Sequence, residues 1–391
     1  MEDLHLPIDT AYLTAMAQEL VRINSINPSL TPDGPGEAEI GARFAERLSD
    51  LGLVVTSDEV EPGRVNVVGC LRGVGGGRTL LLNGHLDTVG VEGMTIDPFG
   101  AETRAGRLYG RGAYDMKASL AAMLAAVKAL RDAGISLRGD LLVTAVADEE
   151  HSSIGTEALV QRVSADGAIV AEPTDLAICR AHRGFIWYEI ETIGRAAHGS
   201  RYQEGIDANL HMGRVLAELD ELSQQLVSRE PHPLMGPPSL NAAILRGGTE
   251  VSTYADRCLL KMERRTIAGE TETDCRRELQ DILDRLAGQD EDFKAHLEFI
   301  FERRPLEIPH SADIVHVVES ASENVLGTVP DHIGQTFWTD AALFADAGME
   351  TVLIGPKGWG LHAAEEWVDL DSVSHLARIL ARAAVDYCGR S

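Results

Sequence analysis

Short apolar runs of strand length alternate with helix-forming segments in the first 180 residues, and this alternation constrains the fold more than any other feature of the sequence. The runs 64–71, 79–83, 141–147 and 168–171 lie between turn residues, as strands buried inside a sheet do. The segment MKASLAAMLAAVKAL at 116–130 is a strong helix former. The pattern predicts an α/β fold built from βαβ-like units.

The pattern changes near residue 181. FIWYEIETIG alternates as a half-exposed strand should, and segments then follow in the order helix, strand, helix, strand up to residue 301. A block of about 120 residues in this order predicts a small α+β domain inserted into a larger one. We therefore expect one domain formed by 1–180 together with 304–391, and a second domain formed by 181–303.

Charge and cysteine usage exclude several classes of protein. The 391 residues carry a formal net charge of -26, so binding to nucleic acid is not expected, because it requires a cationic surface. The five cysteines are widely spaced without a Cys-x-x-Cys pair, which predicts reduced, mostly buried thiols. The sequence has no signal-peptide pattern and no membrane-spanning apolar stretch, and we expect a cytoplasmic protein without a membrane partner.

Potential metal ligands follow the predicted strands. His85 and Asp87 come after TLLLNG, Glu149 and Glu150 after LLVTAVA, and Glu172 after IVA. Taken alone, each has a simpler interpretation as a polar residue at a strand end. In open α/β sheets, however, ligands bind beyond the carboxyl ends of the strands, and all of these residues fall there.

Two further candidates lie in loops. Asp115 precedes the predicted helix, where a carboxylate can also serve as an N-cap, and His362 follows the last apolar strand, where a surface histidine is common. The sequence lacks the motifs of competing mechanisms, namely Gly-x-Ser-x-Gly, the Gly-Lys-Ser/Thr phosphate loop and His-Glu-x-x-His. Histidine and carboxylate ligands in combination suit Zn²⁺, Mn²⁺ or Co²⁺, so the set predicts a metal site.

The sequence around these residues resembles the M20 metallopeptidase family. GHLDTV, GRGAYDMK, DEE, AEPT, GRAAHGS and GLHAAEE occur in the family's order, and the resemblance covers nearly the whole chain. It implies a zinc-exopeptidase-like α/β catalytic domain with a mixed sheet flanked by helices. It also implies that the inserted α+β domain is ferredoxin-like and acts as a lid and in dimerisation.

The resemblance further implies two divalent metal ions, most simply Zn²⁺, with Co²⁺ or Mn²⁺ as alternatives. His85 and Glu172 would bind one ion. Glu150 and His362 would bind the other ion, and Asp115 would bridge the two.

The same resemblance assigns residues to catalysis and to substrate binding. Glu149 would be the general base, and Asp87 would orient the histidine two residues before it. His198 of GRAAHGS would stabilise the oxyanion, often from the neighbouring subunit of a dimer. Arg265 would receive a substrate carboxylate, with a salt bridge on the strand surface as the alternative. Ser252 replaces a residue of the family's Asn-Val-Val-Pro segment that often touches substrate.

We therefore expect an acetylornithine-deacetylase-like enzyme that hydrolyses the amide bond of an N-acyl amino acid. Succinyl-diaminopimelate desuccinylase, aminoacylase and small-peptide carboxypeptidase or dipeptidase activities are alternatives within the family. The expected partners are a small N-acyl amino acid or short peptide and a second copy of the chain. A non-catalytic metal-binding relative and a purely structural metal site are the alternatives from other classes.

Overall fold

A computed structural model describes residues 6–391. The chain folds into two compact units. Unit 1 comprises the residues up to Arg180 together with Ile308–Ile333 and Thr339–Ser391. Unit 2 comprises Ala181–Glu307 and Gly334–Trp338. The short segments 304–307 and 334–338 thus group with the inserted unit, whereas the sequence pattern assigned them to the larger domain.

Several helices begin at capping side chains. Asp9 accepts a hydrogen bond from Tyr12 N, and Asp369 caps the last helix through Ser372 N. No helix within residues 6–391 is long and apolar enough to cross a membrane. The helices are α1 (Thr10–Arg22), α2 (Ala38–Asp50), α3 (Ala118–Asp132), α4 (Ile154–Leu159), α5 (Ala208–Ser228), α6 (Glu272–Gln289), α7 (Asp313–Leu326), α8 (Ala341–Asp346) and α9 (Leu370–Cys388).

The strands range in length from two residues to the ten residues of the longest strands of unit 2. All five cysteines are free and buried, as expected. The strands are β1 (Val54–Glu61), β2 (Arg64–Leu71), β3 (Leu80–His85), β4 (Glu102–Arg104), β5 (Arg107–Tyr109), β6 (Leu141–Val146), β7 (Gly167–Val170), β8 (Ile178–His182), β9 (Gly184–Ile193), β10 (Ser239–Gly247), β11 (Arg257–Thr266), β12 (Lys294–Arg303), β13 (Leu306–Glu307), β14 (His332–Gln335), β15 (Glu350–Leu353), β16 (Gly358–Trp359) and β17 (Trp367–Asp369).

The main sheet of unit 1 is mixed, with the strand order β1-β2-β6-β3-β7-β15-β8. The neighbours β6, β3, β7 and β15 run parallel, and every residue of β3 is buried. His85 pairs with Val146 at the end of β6, and Asn83 pairs with Val170 at the end of β7. Because parallel strands have their carboxyl ends at one edge, the segments after these three strands emerge together.

Helices flank this sheet and complete its core. The Ala-rich helix α3 is buried along most of its length and packs against α1 and α9. Four short strands in loop regions form a second, antiparallel sheet of unit 1, with the order β16-β17-β5-β4. Its hairpin β16–β17 contains the loop in which His362 lies.

Unit 2 has the element order β9-α5-β10-β11-α6-β12, and its antiparallel sheet has the order β10-β11-β9-β12. This is the βαββαβ arrangement of ferredoxin-like domains. The predicted order of alternating strands and helices was wrong by one strand, since it missed β10. That strand lies at the sheet edge and its residues are mostly exposed, so it lacks the apolar pattern of a buried strand.

Candidate metal centre

His85 ends β3 with its ring fixed by the backbone. Its Nδ1 lies 2.9 Å from the Asp87 carbonyl oxygen, to which it donates in the neutral ring. Its Nε2 then faces carboxylates, with Asp115 Oδ1 at 3.0 Å and Glu172 Oε1 at 3.8 Å. The histidine is buried. Because Nδ1 contacts the Asp87 carbonyl, only Nε2 is presented to the carboxylate oxygens.

His362 approaches the same cluster from the β16–β17 hairpin. Its Nε2 lies 3.0 Å from Glu150 Oε2 and 3.4 Å from Asp115 Oδ2. The residue has a positive φ of 56°, which is uncommon for a residue with a side chain. The hairpin is joined to the rest of the site through β17, because β17 pairs with β5 shortly before Asp115 in the chain.

Asp115 lies between the two histidines. Its Oδ1 faces His85 and its Oδ2 faces His362. The residue belongs to an irregular helical turn, Ala113–Lys117, in which its own φ and ψ are -121° and 91°. Helix α3 begins after this turn and has no side-chain cap, so the N-cap interpretation of Asp115 is wrong.

Glu366 holds this turn in place, and the sequence pattern did not identify it. It is fully buried and accepts hydrogen bonds from Asp115 N at 3.1 Å and Tyr114 N at 2.9 Å. Its other oxygen accepts from Gly112 N at 3.1 Å and from Arg111 Nη1 at 2.6 Å. The adjacent acidic pair in GLHAAEEW was the available signal, although nothing in the sequence distinguishes the buried glutamate from its half-buried neighbour.

The Asp87 carboxylate organises the loop after β6. It accepts from Glu149 N at 3.1 Å, from Glu150 N at 3.2 Å and from Asn27 Nδ2 at 2.8 Å. Its Oδ1 is 3.6 Å from His85 Nδ1, so the close contact to that ring comes from the Asp87 carbonyl rather than from the side chain. The carboxylate therefore fixes the two glutamates.

A buried ion network supports the same loop from behind. Arg64 Nη2 donates to Asp148 Oδ1 at 2.8 Å, and Arg64 Nε donates to Glu37 Oε2 at 2.6 Å. Asn27 Nδ2 connects this network to Asp87 by donating to Asp148 Oδ1 at 3.0 Å. The single cation Arg64 thus pairs with two buried carboxylates, one of which, Asp148, directly precedes Glu149.

Replacing Arg64 with methionine is expected to lower the free energy of unfolding by about 3 to 5 kcal/mol, because it leaves Glu37 and Asp148 as unpaired buried carboxylates. Urea unfolding followed by circular dichroism measures the change. Arg72→Met is the matched control, because its ion pair with Asp140 is exposed and should contribute at most about 1 kcal/mol. Equal effects of the two substitutions would contradict the assigned role of Arg64.

Two glutamates of the cluster, Glu149 and Glu172, lie where burial and nearby negative charge disfavour their ionised form. Burial, followed by the charge of Glu172, raises the pKa of Glu149 well above its ordinary value. Burial, followed by the charge of Asp115, does the same to the pKa of Glu172. Ligand atoms of His85, Glu149 and Glu172 lie within 4.8 Å of one another, as do those of His85, Asp115 and Glu150. Divalent cations would relieve this repulsion, so the donor set fits metal ions.

Loading the metal-free protein with Zn²⁺ at pH 7 is expected to release protons. Hydrogen bonds with Asp115 and Glu150 raise the pKa of His362 to about 10, so this histidine holds a proton at pH 7 without the ions. Coordination requires deprotonated ligands, and affinity should therefore rise with pH. Calorimetric titration in two buffers of different ionisation enthalpy counts the protons, and identical heats would contradict this expectation.

The remaining predicted residues lie in unit 2. His198 is exposed, and its Nδ1 lies 2.9 Å from Ser200 Oγ. Ser252 contributes its carbonyl oxygen to a 2.7 Å hydrogen bond from Gly199 N, next to that histidine. Arg265 Nε donates to Glu263 Oε1 at 2.8 Å, and its guanidinium lies over the Phe185 ring. The salt bridge considered for Arg265 is thus present in the structure.

The chain is similar to known proteins along most of its length. Residues 81–386 match the model of peptidase family M20/M25/M40. An acetylornithine deacetylase of Myxococcus xanthus is 30% identical over 96% of this chain and 98% of its own length. An N-formyl-4-amino-5-aminomethyl-2-methylpyrimidine deformylase of Bacillus subtilis is also 30% identical, over 92% of each chain. The crystal structure of an aminopeptidase from Bacillus cereus superposes with a TM-score of 0.80 at 20% identity, covering 96% of this chain and 98% of that one.

The family match spans most of the chain and includes every candidate metal ligand. The mixed sheet flanked by helices agrees with the solved peptidase structure, which confirms the predicted fold class. The chain therefore belongs to the M20/M25/M40 family of peptidases, and it is a hydrolase of the metal-dependent kind that this family comprises.

Proposed function

We propose that this protein hydrolyses the amide bond of an N-acyl amino acid with a pair of divalent metal ions, in the manner of an acetylornithine deacetylase. The observation that carries the proposal is the position of Asp115, whose two carboxylate oxygens face two different histidines. A carboxylate shared in this way suits a bridge between two ions. Such a pair of ions is one of the recurring devices of hydrolytic catalysis.

The distances support a particular division of the ligands. His85 lies beside Glu172, and His362 lies beside Glu150, so each pair would hold one ion, with Asp115 common to both. Imidazole and carboxylate ligands favour Zn²⁺, and Co²⁺ or Mn²⁺ can occupy the same donor set.

Glu149 is the proposed proton carrier. When bound, the two ions would polarise the substrate carbonyl and lower the pKa of the attacking water. Glu149 would accept the proton of that water and donate it to the leaving amine. Its side chain is close to His85 and Glu172, and its backbone N–H is fixed by Asp87. A carboxylate held in this way needs little rearrangement to transfer a proton.

The unit 2 residues are proposed to recognise the substrate. His198 would stabilise the oxyanion, and Arg265 would bind the substrate carboxylate as a planar fork of donors. Arg265 would have to exchange its contact with Glu263 for the substrate, which costs little for a partly exposed ion pair. Ser252 accepts a backbone hydrogen bond from Gly199 N, beside His198, and would contribute to selectivity.

A substrate panel tests the proposed function. Zinc- or cobalt-loaded protein would be assayed with acetyl, formyl and succinyl derivatives of one amino acid, and then with one acyl group on several amino acids and dipeptides. Turnover of N-acetylornithine above the other substrates is the expected result. Preference for succinyl-diaminopimelate, other acyl amino acids or dipeptides would support the alternative activities of the family. No turnover of any amide would support a non-catalytic relative.

We also propose that the protein forms a homodimer through unit 2. Among the described strands, β10 pairs only with β11, so its outer backbone groups are available for pairing with another chain. It also exposes Ile244 and Leu245. Light scattering should give a dimer for the wild type and a monomer for Ile244→Lys combined with Leu245→Lys. A monomeric wild-type protein would contradict the proposal.

Mixed dimers would show in which subunit His198 acts. His198→Ala and Glu149→Ala are each expected to be nearly inactive. If His198 acts across the dimer, a mixed dimer of the two variants contains one intact site and regains activity. If it acts within its own subunit, the mixture stays inactive.

A further inference from the structure

Three histidines and a glutamate cluster on unit 1 outside the metal centre described above. His316 and Glu319 lie on α7, three positions apart, and therefore on one face of the helix. His310 lies in the segment before α7, and His332 begins β14 after the turn that follows the helix. The proposed reaction uses none of these residues.

His310 and His332 both contact one carboxylate oxygen of Glu319. His332 Nε2 lies 2.7 Å from Glu319 Oε2, and His310 Nε2 lies 3.1 Å from the same oxygen. The rings of His310 and His332 meet edge to face at 4.6 Å, and the ring of His316 lies 5.5 Å from that of His310. The ligand atoms of His310, Glu319 and His332 all lie within 4.8 Å of one another.

We propose that His310, Glu319 and His332 bind a third divalent transition-metal ion of the Zn²⁺ class, separate from the dinuclear centre. Ligand atoms bound tetrahedrally to one zinc ion lie about 3.3 Å apart, so the nitrogens need to move only slightly away from the carboxylate oxygen. His316 or a water molecule would supply the fourth ligand. The hydrogen bonds from His310 and His332 lower the pKa of Glu319, so its carboxylate is ionised and ready to coordinate.

Arg180 is expected to lower the affinity of this site for the metal ion. Arg180 Nε donates to His332 Nδ1 at 2.8 Å, which places the ring proton on Nε2 of the neutral histidine. Coordination through Nε2 requires the other tautomer, so Arg180 must give up this hydrogen bond while it can keep the one from Nη1 to the Ile308 carbonyl. Ligating histidines normally donate a hydrogen bond from their second nitrogen to an acceptor, whereas the second nitrogen of His332 faces the Arg180 guanidinium, which is a donor. The third ion is therefore bound more weakly than the ions of the dinuclear centre.

Equilibrium dialysis of the full-length protein against increasing Zn²⁺, followed by metal analysis, tests the proposal. The wild type should take up one more equivalent than Glu319→Gln and His332→Ala, with an affinity at this equivalent at least about tenfold higher than in either variant. His296→Ala, which removes an exposed histidine of unit 2, should bind as much Zn²⁺ as the wild type. Arg180→Gln should bind the extra ion more tightly than the wild type.

Equal uptake by the wild type and Glu319→Gln would overturn the proposal. So would loss of the extra equivalent in His296→Ala, because it would indicate unspecific binding to surface histidines. The test counts a difference between variants and does not depend on hydrolysis, so it stands whether or not the proposed function is correct. Both ligand variants should keep the activity of the wild type, because they leave the dinuclear centre unchanged.

Discussion

Replacing Glu149 with alanine is expected to reduce turnover by about 100-fold to 10,000-fold, the range that a general acid–base group contributes. Bound metal should stay close to the wild-type content, because the proposed ligands His85, Glu172 and Asp115 are all retained. Because Glu149 lies close to the proposed ligands, a loss of activity alone would not distinguish a role in proton transfer from a role in metal binding. Measuring both turnover and metal content of the variant separates the two roles. Single-turnover kinetics and metal analysis on the same sample measure the two effects.

Glu92→Ala is the matched control for this substitution. Glu92 is an exposed glutamate of unit 1, so its removal should change neither turnover nor metal content. A Glu149→Ala protein with near wild-type activity would exclude Glu149 as the general base. Loss of an ion together with activity would instead indicate that Glu149 is a ligand, as its proximity to His85 and Glu172 allows.

Replacing Asp115 with alanine is expected to abolish measurable turnover and to weaken the binding of both ions. The reason is that the two oxygens of this carboxylate face the two histidines, so its removal would take one ligand atom from each proposed ion position. Removing His362 should affect mainly the ion it shares with Glu150. Titration of metal-free variants with Zn²⁺, read by metal content and by activity, compares the two cases.

Asp97→Ala serves as the control, because Asp97 is exposed and its carboxylate contacts only local backbone groups among the hydrogen bonds described. Retention of both ions by Asp115→Ala would contradict the bridging role. Loss of a single ion would assign Asp115 to one position and would require a different explanation for its second contact.

Metal removal also distinguishes catalysis from a structural role. If the ions act in the reaction, a chelator should remove activity and leave the fold intact, because the main sheet and its helices form an extensive apolar core. A structural site would instead make folding depend on the metal. Circular dichroism before and after chelation would show unfolding only under the structural interpretation.

The candidate ligands at the strand ends could be predicted because the signal, an apolar run followed by a histidine or a carboxylate, lies within one short segment. An apolar run followed by His85, by Glu149 and Glu150, or by Glu172 can be recognised without knowing the partners of the strand. Parallel pairing then brings such ends together at one sheet edge. For this reason, the sequence indicated the candidate ligands before their distances were known.

The supporting residues were not predictable in this way. Glu366 is buried beneath the Asp115 turn, and Arg64 lies between Glu37 and Asp148, but their positions depend on contacts between distant segments. In the sequence, both resemble ordinary surface charges. The edge strand β10 was missed for a related reason, since it is stabilised by pairing with β11 rather than by its own burial.

The sequence by itself determined the fold class and the chemical types available at the strand ends, because hydrophobic periodicity and side-chain chemistry are properties of short segments. Only the tertiary structure decided which oxygen faces which nitrogen. It turned Asp115 from a plausible helix cap into a carboxylate between two histidines, and it assigned the Asp87 carboxylate to the backbone of Glu149 and Glu150. These outcomes depend on the packing of segments far apart in the chain, which no local pattern encodes.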